Sequence, residues 1–173
     1  VSILSQYQAA PREGHLNKLL HIFGYLKKKP KLSIYMDPSL PNIDYGVFRT
    51  KAQDFAEYYR DAHEHLPHDM PVPRGVMVWI TAFVDASFAQ NKKTRKSHTG
   101  FLIFVNRAPI IWFSKRQSTV ETSTFSAEFM AMKSCVNAIE GLRFKLRMFG
   151  VPVEGPAHIF YDNESVVNNS SKV

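Results

Sequence analysis

The stretch VMVWITAFVDASFAQNKKTRKSHTGFLIFVNRAPIIWFS, residues 76–114, contains three short apolar runs separated by polar residues. Runs of this length that are rich in valine, isoleucine and aromatic residues are typical of β-strands. Residues 106–108 predict a tight turn, so the second and third strands should form an antiparallel hairpin. The first run ends at Asp85, a carboxylate whose burial would be costly without a partner.

A long amphipathic helix is predicted to begin at about Ser123 and to end before Gly150 and Pro152. Residues 157–162, AHIFYD, predict a fourth strand that ends on Asp162, and a second helix follows. The order β-β-β-α-β-α predicts an α/β fold with three antiparallel strands, a crossover helix and a parallel fourth strand. The apolar positions that define the long helix are Phe125, Phe129, Met132, Val136, Ile139, Leu142, Leu146 and Phe149.

Two further parts are predicted before this unit, which we place at residues 76–173. Residues 1–36 contain an amphipathic helix that stops at Pro30, followed by a short strand at residues 31–36. Residues 37–75 are rich in proline and predict an ordered connector with one short helix at residues 52–66. His63, His65 and His68, with Asp61 and Asp69, match no standard zinc spacing, which favours a polar loop over a metal site.

The composition of the 173 residues limits the possible functions. There are 22 Lys and Arg residues against 15 Asp and Glu residues, a net charge of +7, which favours a polyanionic partner such as nucleic acid. The single cysteine, Cys135, excludes an internal disulfide and a cysteine-based zinc knuckle, and it fits a reducing, intracellular compartment. No apolar run is long enough for a transmembrane helix. The absence of an initial methionine predicts a piece of a longer chain.

Three carboxylates should meet at one edge of the predicted sheet. Asp85 and Asp162 end strands that can lie side by side and parallel, and Glu128 lies in the first turns of the crossover helix. Because converging carboxylates repel each other, divalent cations are needed to hold them together, and Mg²⁺ suits oxygen ligands. Two such ions could activate a water and stabilise a leaving oxygen in phosphodiester cleavage. Taken singly, each residue fits a structural role better, as a helix cap, a turn or compensation of the helix dipole, and it is their joint placement that favours a site.

Residues 85–132, DASFAQNKKTRKSHTGFLIFVNRAPIIWFSKRQSTVETSTFSAEFMAM, resemble the ribonuclease H region of Ty1/copia-type retrotransposon polyproteins. That family typically has D-A-D-W-A, T-R-R-S-x-x-G, I-S-W-x-S-K-K-Q and S-S-T-E-A-E-Y, and here these align with residues 85–89, 94–100, 110–117 and 123–129. Its C-D-N-Q-S-A resembles YDNESV at residues 161–166. A looser similarity joins residues 15–38 to the tail of the family's reverse transcriptase, H-x-x-x-x-x-R-x-x-x-Y-L-K-G-T.

This sequence departs from the family pattern in three respects. Ser87 replaces the second aspartate of D-A-D, and Ser126 replaces the first acid of E-A-E, which leaves Glu128 as the candidate metal ligand. Ribonucleases H carry a fourth acidic position, often near a histidine, on a helix after the fifth strand. The sequence ends at Val173 before that position, so the predicted domain is truncated at its C-terminus and its activity in isolation is in question.

The resemblance implies a mechanism and a set of partners. The enzyme would cut the RNA strand of an RNA–DNA hybrid, with two Mg²⁺ ions (or Mn²⁺) held by Asp85, Glu128 and Asp162, and a polymerase domain would lie in the same polyprotein. Contacts to 2′-hydroxyls would distinguish RNA from DNA. Trp79 and Trp112 are predicted to lie in the core. The residues predicted to face the phosphate backbone are Lys92, Lys93, Arg95, Lys96, Lys115, Arg116 and Gln117; a solubilising hairpin is the alternative reading of these cations.

Three other functions remain open at this point. The chain could be a non-catalytic nucleic-acid-binding or connection module that kept the fold and lost turnover. It could be a retroviral-type integrase, but the acids of that family run Asp, Asp, Glu, whereas here the glutamate lies between the aspartates. It could also be a degenerate remnant of a retroelement.

Overall fold

The computed structural model describes residues 2–44, 67–91, 93–153 and 155–170. These residues form two helices, a three-stranded meander, a long helix, a short strand and a final helix. In chain order these elements are α1 (Ser2–Ser5), α2 (Glu13–Lys28), β1 (Ile80–Ser87), β2 (His98–Val105), β3 (Ala108–Arg116), α3 (Thr124–Met148), β4 (His158–Phe160) and α4 (Glu164–Ser170).

The four strands form one mixed sheet in the order β3-β2-β1-β4. β1 pairs antiparallel with β2, β2 pairs antiparallel with β3, and β1 pairs parallel with β4. This confirms the predicted α/β architecture, a ribonuclease H-like mixed sheet in which α3 is the crossover helix. Asn106 adopts a positive φ of 55° in the β2–β3 turn, a conformation that asparagine tolerates better than most residues.

The bounds of the first strand differ from the prediction. β1 begins at Ile80 instead of Val76 and continues through Ser87, so Asp85 lies inside the strand and not at its end. The sequence gives no sign of this because β1 is extended past its apolar run by pairing with β2, in which Ser87 lies opposite His98.

One face of the sheet packs against α3 and forms the core. The buried residues of the helix are Ala127, Ala131, Cys135, Ile139 and Leu142, and they pack against strand residues such as Ala82 and Ile103. The predicted core face of the helix was therefore only partly right, since Phe129 and Phe149 are exposed. Small side chains at the contact allow the helix to lie close to the sheet, and this close approach turns the large phenylalanines outward.

Cys135 gives a test of this packing. Its thiol is fully buried, and burial raises its pKa to about 12. Since the thiolate is the reactive form, we expect native Cys135 to react with a disulfide reagent at pH 8 at least about 100-fold more slowly than the same chain in denaturant. Absorbance of the released thiol measures both rates. Rapid labelling of the native chain would contradict the packing of α3 on the sheet.

The opposite face of the sheet carries a row of apolar side chains. Trp112 lies opposite Leu102, Leu102 opposite Phe83, and Phe83 opposite Phe160, so the row crosses all four strands. Trp112 is 60% exposed, so its predicted place in the core is wrong, whereas Trp79 is half-buried. Side chains along β3 alternate between the two faces of the sheet, but nearly every residue of this run is apolar. The sequence therefore does not reveal which residues face away from the helix.

The difference between the two faces predicts a contrast in stability. Trp112→Thr should lower the free energy of unfolding by less than about 1 kcal/mol, since only a cross-strand contact is lost. Ile103→Ala, at a fully buried position on the neighbouring strand, should cost about 2–5 kcal/mol. Urea denaturation of the two variants measures both values. A comparable loss at Trp112 would mean that it is covered in solution.

The N-terminal helix α2 ends at Lys28, close to the predicted end. The strand predicted at residues 31–36 is wrong: these residues join no ladder within the described part of the chain. An apolar run becomes a strand only where a partner edge is available, and the contacts with the β2–β3 turn come from the two residues that follow this run. Asn106 Nδ2 donates to the Pro38 carbonyl over 2.8 Å, and Arg107 lies 3.2 Å from Asp37.

Part of the predicted connector cannot be compared with the structure. The predicted helix at residues 52–66 and the candidate metal residues Asp61, His63 and His65 lie outside the described residues. His68 and Asp69 are described, and both are exposed. Among the described helices, none is both long enough and apolar enough to cross a membrane. The proposed division into parts 1–36, 37–75 and 76–173 stays a prediction.

Candidate active site

Asp85 and Asp162 reach the same edge of the sheet through the register of β1 and β4. Phe83 lies opposite Phe160 in this parallel pair. Asp85 comes two residues after Phe83, and Asp162 comes two residues after Phe160. Because side chains two residues apart in a strand share a face, Asp85 lies on the face opposite α3. Both aspartates are exposed, so their carboxylates meet little desolvation.

Glu128 is brought to this edge by the start of α3. The Ser123 side chain caps the helix by accepting from the Ser126 backbone N–H over 3.1 Å. Gln117, at the end of β3, donates from Nε2 to the Ala127 carbonyl over 2.7 Å and to Thr99 Oγ1 over 3.0 Å. These contacts fix the first turn of α3 against β2 and β3, and Glu128 follows directly.

The environment of Glu128 disfavours its charged form. Burial raises the pKa of this carboxyl most, a hydrogen bond with the Asn163 side chain lowers it, and the charges of Asp162 and Asp85 raise it. The net effect is a pKa above the ordinary value. The three predicted carboxylates are therefore close enough to act on one another electrostatically.

Tyr161 is a member of the site that the sequence reasoning missed. Its hydroxyl donates to the Glu128 backbone carbonyl over 2.6 Å. Burial raises the pKa of Tyr161 well above its usual range, and the charges of Glu128, Asp162 and Asp85 add to the shift. The only signal in the sequence was its place beside Asp162, since β4 ends at Phe160 and both residues lie in the connection to α4. Asn163, on the other side of Asp162, was missed in the same way.

The donors at this edge fit a hard divalent cation. All three are carboxylates, which Mg²⁺ prefers, and the buried Glu128 Oε2 has no hydrogen-bond partner among the described residues. Such an atom needs a ligand or a water, because an unsatisfied buried acceptor is costly. The side chains are not assembled in advance, however: the described part of the chain holds no group of three or more His, Cys, Asp or Glu placed to bind a metal.

The residues predicted to contact phosphates are placed in different ways. Lys93, Arg95, Lys115 and Arg116 are exposed, and Lys96 donates to the Ser118 carbonyl. Lys92 lies outside the described residues. Gln117 is buried, and its amide nitrogen is bound by protein atoms, so it acts within the fold to fix the start of α3. The sequence could not show this, since a glutamine beside two cations looks the same whether it faces solvent or the core.

The comparisons with known proteins agree with the resemblance seen in the motifs. The chain is 23% identical over 163 residues to the Retrovirus-related Pol polyprotein from transposon RE2 of Arabidopsis thaliana, and 24% identical over 163 residues to that from transposon RE1. Each alignment covers 94% of this chain. Over nearly all of its length, the chain is homologous to part of a Pol polyprotein. The predicted resemblance to retrotransposon polyproteins is confirmed.

The chain spans only 9% of the length of either polyprotein. A shorter similarity, 34% identity over 65 residues, joins 38% of the chain to 27% of an uncharacterized mitochondrial protein from the same plant. No protein-family profile matches the chain, and no solved structure matches it. The activity of this part of the polyprotein must therefore be argued from the site itself.

Proposed function

We propose that this chain contains the ribonuclease H region of a Ty1/copia-type retrotransposon reverse transcriptase, which cuts the RNA strand of RNA–DNA hybrids. The observation that carries the proposal is that Asp85 and Asp162 lie close enough to raise the pKa of Glu128, whose Oε2 is buried without a hydrogen-bond partner among the described residues. Homology to Pol polyproteins supports it. The reverse transcriptase polymerase domain would lie in the same polyprotein, and the protein would act inside the cell.

The three carboxylates would hold two Mg²⁺ ions. When bound, the ions supply a nucleophilic water and stabilise the leaving oxygen of a phosphodiester. Water would add to phosphorus as the bond from phosphorus to the 3′-oxygen breaks, which leaves a 3′-hydroxyl and a 5′-phosphate. Asp85 and Asp162 are exposed and can turn toward the metals, whereas Glu128 is held in place by the cap of α3 and by Asn163.

The exposed cations would bind the phosphates of the hybrid. Lys93 and Arg95 lie in the connection between β1 and β2, and Lys115 and Arg116 lie at the end of β3. Lys92, next to Lys93 in the sequence, would add to the same charge. Phosphate contacts of this kind position a nucleic acid without reading its sequence. They would bring the scissile bond to the carboxylates, and binding should weaken steeply with salt.

A second candidate is a hybrid-binding module without turnover. The observation that favours it is that the carboxylates of the described residues are not already gathered as a metal cluster. Ser87 and Ser126 also stand where the related pattern has acids. In this case the exposed Lys and Arg side chains would bind the hybrid, but the carboxylates would not hold the metal ions in a catalytic geometry.

Incubation with a labelled hybrid separates the two candidates. Each strand would carry its own label, and the chain would be tested with Mg²⁺, Mn²⁺ or EDTA, beside Asp85→Asn. Metal-dependent loss of the RNA strand alone, abolished by the substitution, is the result expected for the nuclease. Salt-sensitive binding without cleavage in either metal would contradict the nuclease and support the binding module.

A further inference from the structure

A groove lies beside Asp85 on the face of the sheet opposite α3. Its floor is made of two successive rows across the meander: Ser114, Gly100 and Asp85 in one, and His98 and Ser87 in the next, with Arg116 paired to His98 beside the cavity. Gly100 carries no side chain, which leaves the space next to the Asp85 carboxylate open. The cavity has a volume of about 290 Å³ and is also lined by Ser2, Ile3, Gln90 and Thr99.

The first residues of the chain form one side of this groove. Ser2 Oγ lies 2.9 Å from His98 Nε2, in a pair 96 positions apart in sequence. Arg116 Nη1 donates to Gln6 Oε1 over 3.2 Å, and Asn91 Nδ2 lies 3.5 Å from the same oxygen. These contacts hold residues 2–6 against the edge of the sheet at which Asp85 lies.

The absence of charged side chains in the N-terminal segment bears on whether it blocks a phosphate site or leaves Arg116 available to an anion. Residues 2–11 contain no acidic and no basic side chain. A segment that blocked a phosphate site by mimicry would be expected to offer a carboxylate to Arg116. Gln6 offers a neutral amide oxygen instead, so it can orient the guanidinium while the positive charge stays available to an anion.

We propose that residues 2–6 form a wall of the groove that receives the sugar–phosphate backbone of one hybrid strand, with Gln6 as a positioning residue for Arg116. The inference rests on the proposed function. The lining favours a backbone over bases, because beside the Asp85 carboxylate it offers hydroxyls, an imidazole and an amide, and none of the residues that line the cavity is a Phe, Tyr or Trp. Base recognition of single strands, by contrast, uses aromatic platforms. The Arg116 guanidinium, held by Gln6, lies next to this lining, and the exposed apolar row that includes Trp112 occupies the neighbouring row of the sheet.

The test replaces Gln6 with a residue that still binds the Arg116 guanidinium but neutralises the positive charge of that side chain. Gln6→Glu should pair with the guanidinium and remove one effective phosphate contact. The slope of log K against log[salt] should then fall by about 0.7–0.9, and the same fall is expected for Arg116→Ala. Gln8→Glu is the matched control, since Gln8 is exposed and the substitution changes the net charge by the same amount.

Binding of the full chain to an RNA–DNA hybrid would be measured by fluorescence anisotropy across a salt series. The inference is supported if Gln6→Glu lowers the slope, Gln8→Glu leaves it unchanged, and Gln6→Glu with Arg116→Ala together give no further loss. It is overturned if the two glutamate variants bind alike, or if Gln6→Ala binds more tightly than wild type, which would make the segment an inhibitor.

Failure of the proposed function gives a different result. If the chain does not bind the hybrid at all, wild type itself would show no salt-dependent binding, and the inference would fall with it. If wild type binds the hybrid without cleaving it, the nuclease is lost but the comparison of the Gln6 and Gln8 variants still tests the inference. If wild type binds or cleaves but Gln6 and Gln8 variants behave alike, only the role of the N-terminal segment is lost. Thermal melting of each variant separates these effects from loss of the fold, and a salt slope is not altered by a uniform loss of folded protein.

Discussion

Asp162→Asn and Asp85→Asn should each lower the rate of metal-dependent RNA cleavage by more than about 100-fold. Substitutions in the outer shell of metal sites already cost about 10–100-fold, and a ligand should cost more. Asp85 and Asp162 each follow a paired phenylalanine by two residues, Phe83 and Phe160, so we expect their losses to be similar. Single-turnover cleavage of a labelled hybrid at saturating Mg²⁺ measures both rates.

Glu164→Gln is the matched control for the two aspartates. Glu164 is exposed in the first turn of α4, two residues after Asp162, and its substitution removes a charge from the same region. The cleavage rate of this variant should stay within a few-fold of wild type. If Glu164→Gln lost as much activity as Asp162→Asn, the aspartates would act through the general negative potential of the edge and not as metal ligands.

The double variant Asp85→Asn with Asp162→Asn adds a further constraint. Groups that act as one unit are strongly non-additive, so the double variant should lose little more than either single variant. Losses that multiply would instead mean that each aspartate contributes independently. Such a result would contradict the shared metal site while leaving the fold intact.

The shared edge of Asp85 and Asp162 could be predicted from the sequence because it follows from topology, although β1 continues two residues past Asp85. Three apolar runs, one long helix and a fourth run allow few arrangements, and the crossover through α3 places β4 parallel to β1 and beside it. Asp85 and Asp162 then reach one edge whatever the details of packing. The presence of Glu128 near the start of the helix adds the third carboxylate.

The parts that could not be predicted depend on what packs against what. Alternation along β3 does not say which face meets α3, so Trp112 was placed in the core, although it is exposed. The helix approaches through Ala127 and Ala131, whose small size gives them little weight in a hydrophobic pattern. Residues 31–36 have strand-like composition, but a strand needs a partner edge, which a local pattern cannot show.

Two further features could not be predicted from the sequence for the same reason: the interior role of Gln117 and the contact of Gln6 with Arg116. Gln6 and Arg116 are 110 positions apart, and Gln117 reaches the helix across a turn. Pairings of this kind are set by the tertiary fold, whereas periodicity and spacing report only on neighbours in sequence. The motifs therefore indicated the chemistry of the site, and the structure supplies the residues that hold it in place.

Glu128→Gln should make the metal-free chain more stable at neutral pH. The folded-state pKa of Glu128 is raised, chiefly by burial, with the Asp162 and Asp85 charges adding to the effect. The folded state thus binds a proton more tightly than the unfolded state, so stability is retained below the unfolded pKa and lost as pH rises through the folded pKa. Glutamine mimics the protonated form at every pH and avoids this loss.

Urea denaturation in EDTA at a series of pH values measures the difference. The midpoints of wild type and Glu128→Gln should be similar at acid pH and diverge as the pH rises through the range in which a carboxyl with a raised pKa ionises. Glu140→Gln, an exposed position on the same helix, should show no such divergence. Parallel curves for wild type and Glu128→Gln would mean that the fold does not penalise the charge at this position.

Mg²⁺ should reverse the order of stability. A bound cation removes the penalty on the charged form of Glu128, so wild type should gain about 2.7 kcal/mol in the free energy of unfolding at a concentration 100 times the dissociation constant. Glu128→Gln lacks a ligand charge and should gain much less, although it starts from a more stable state. This crossing is the expected behaviour of a site whose carboxylates are placed for metal binding at the expense of stability. If Mg²⁺ stabilised the two proteins equally, Glu128 would not be a metal ligand, and its raised pKa would reflect burial alone.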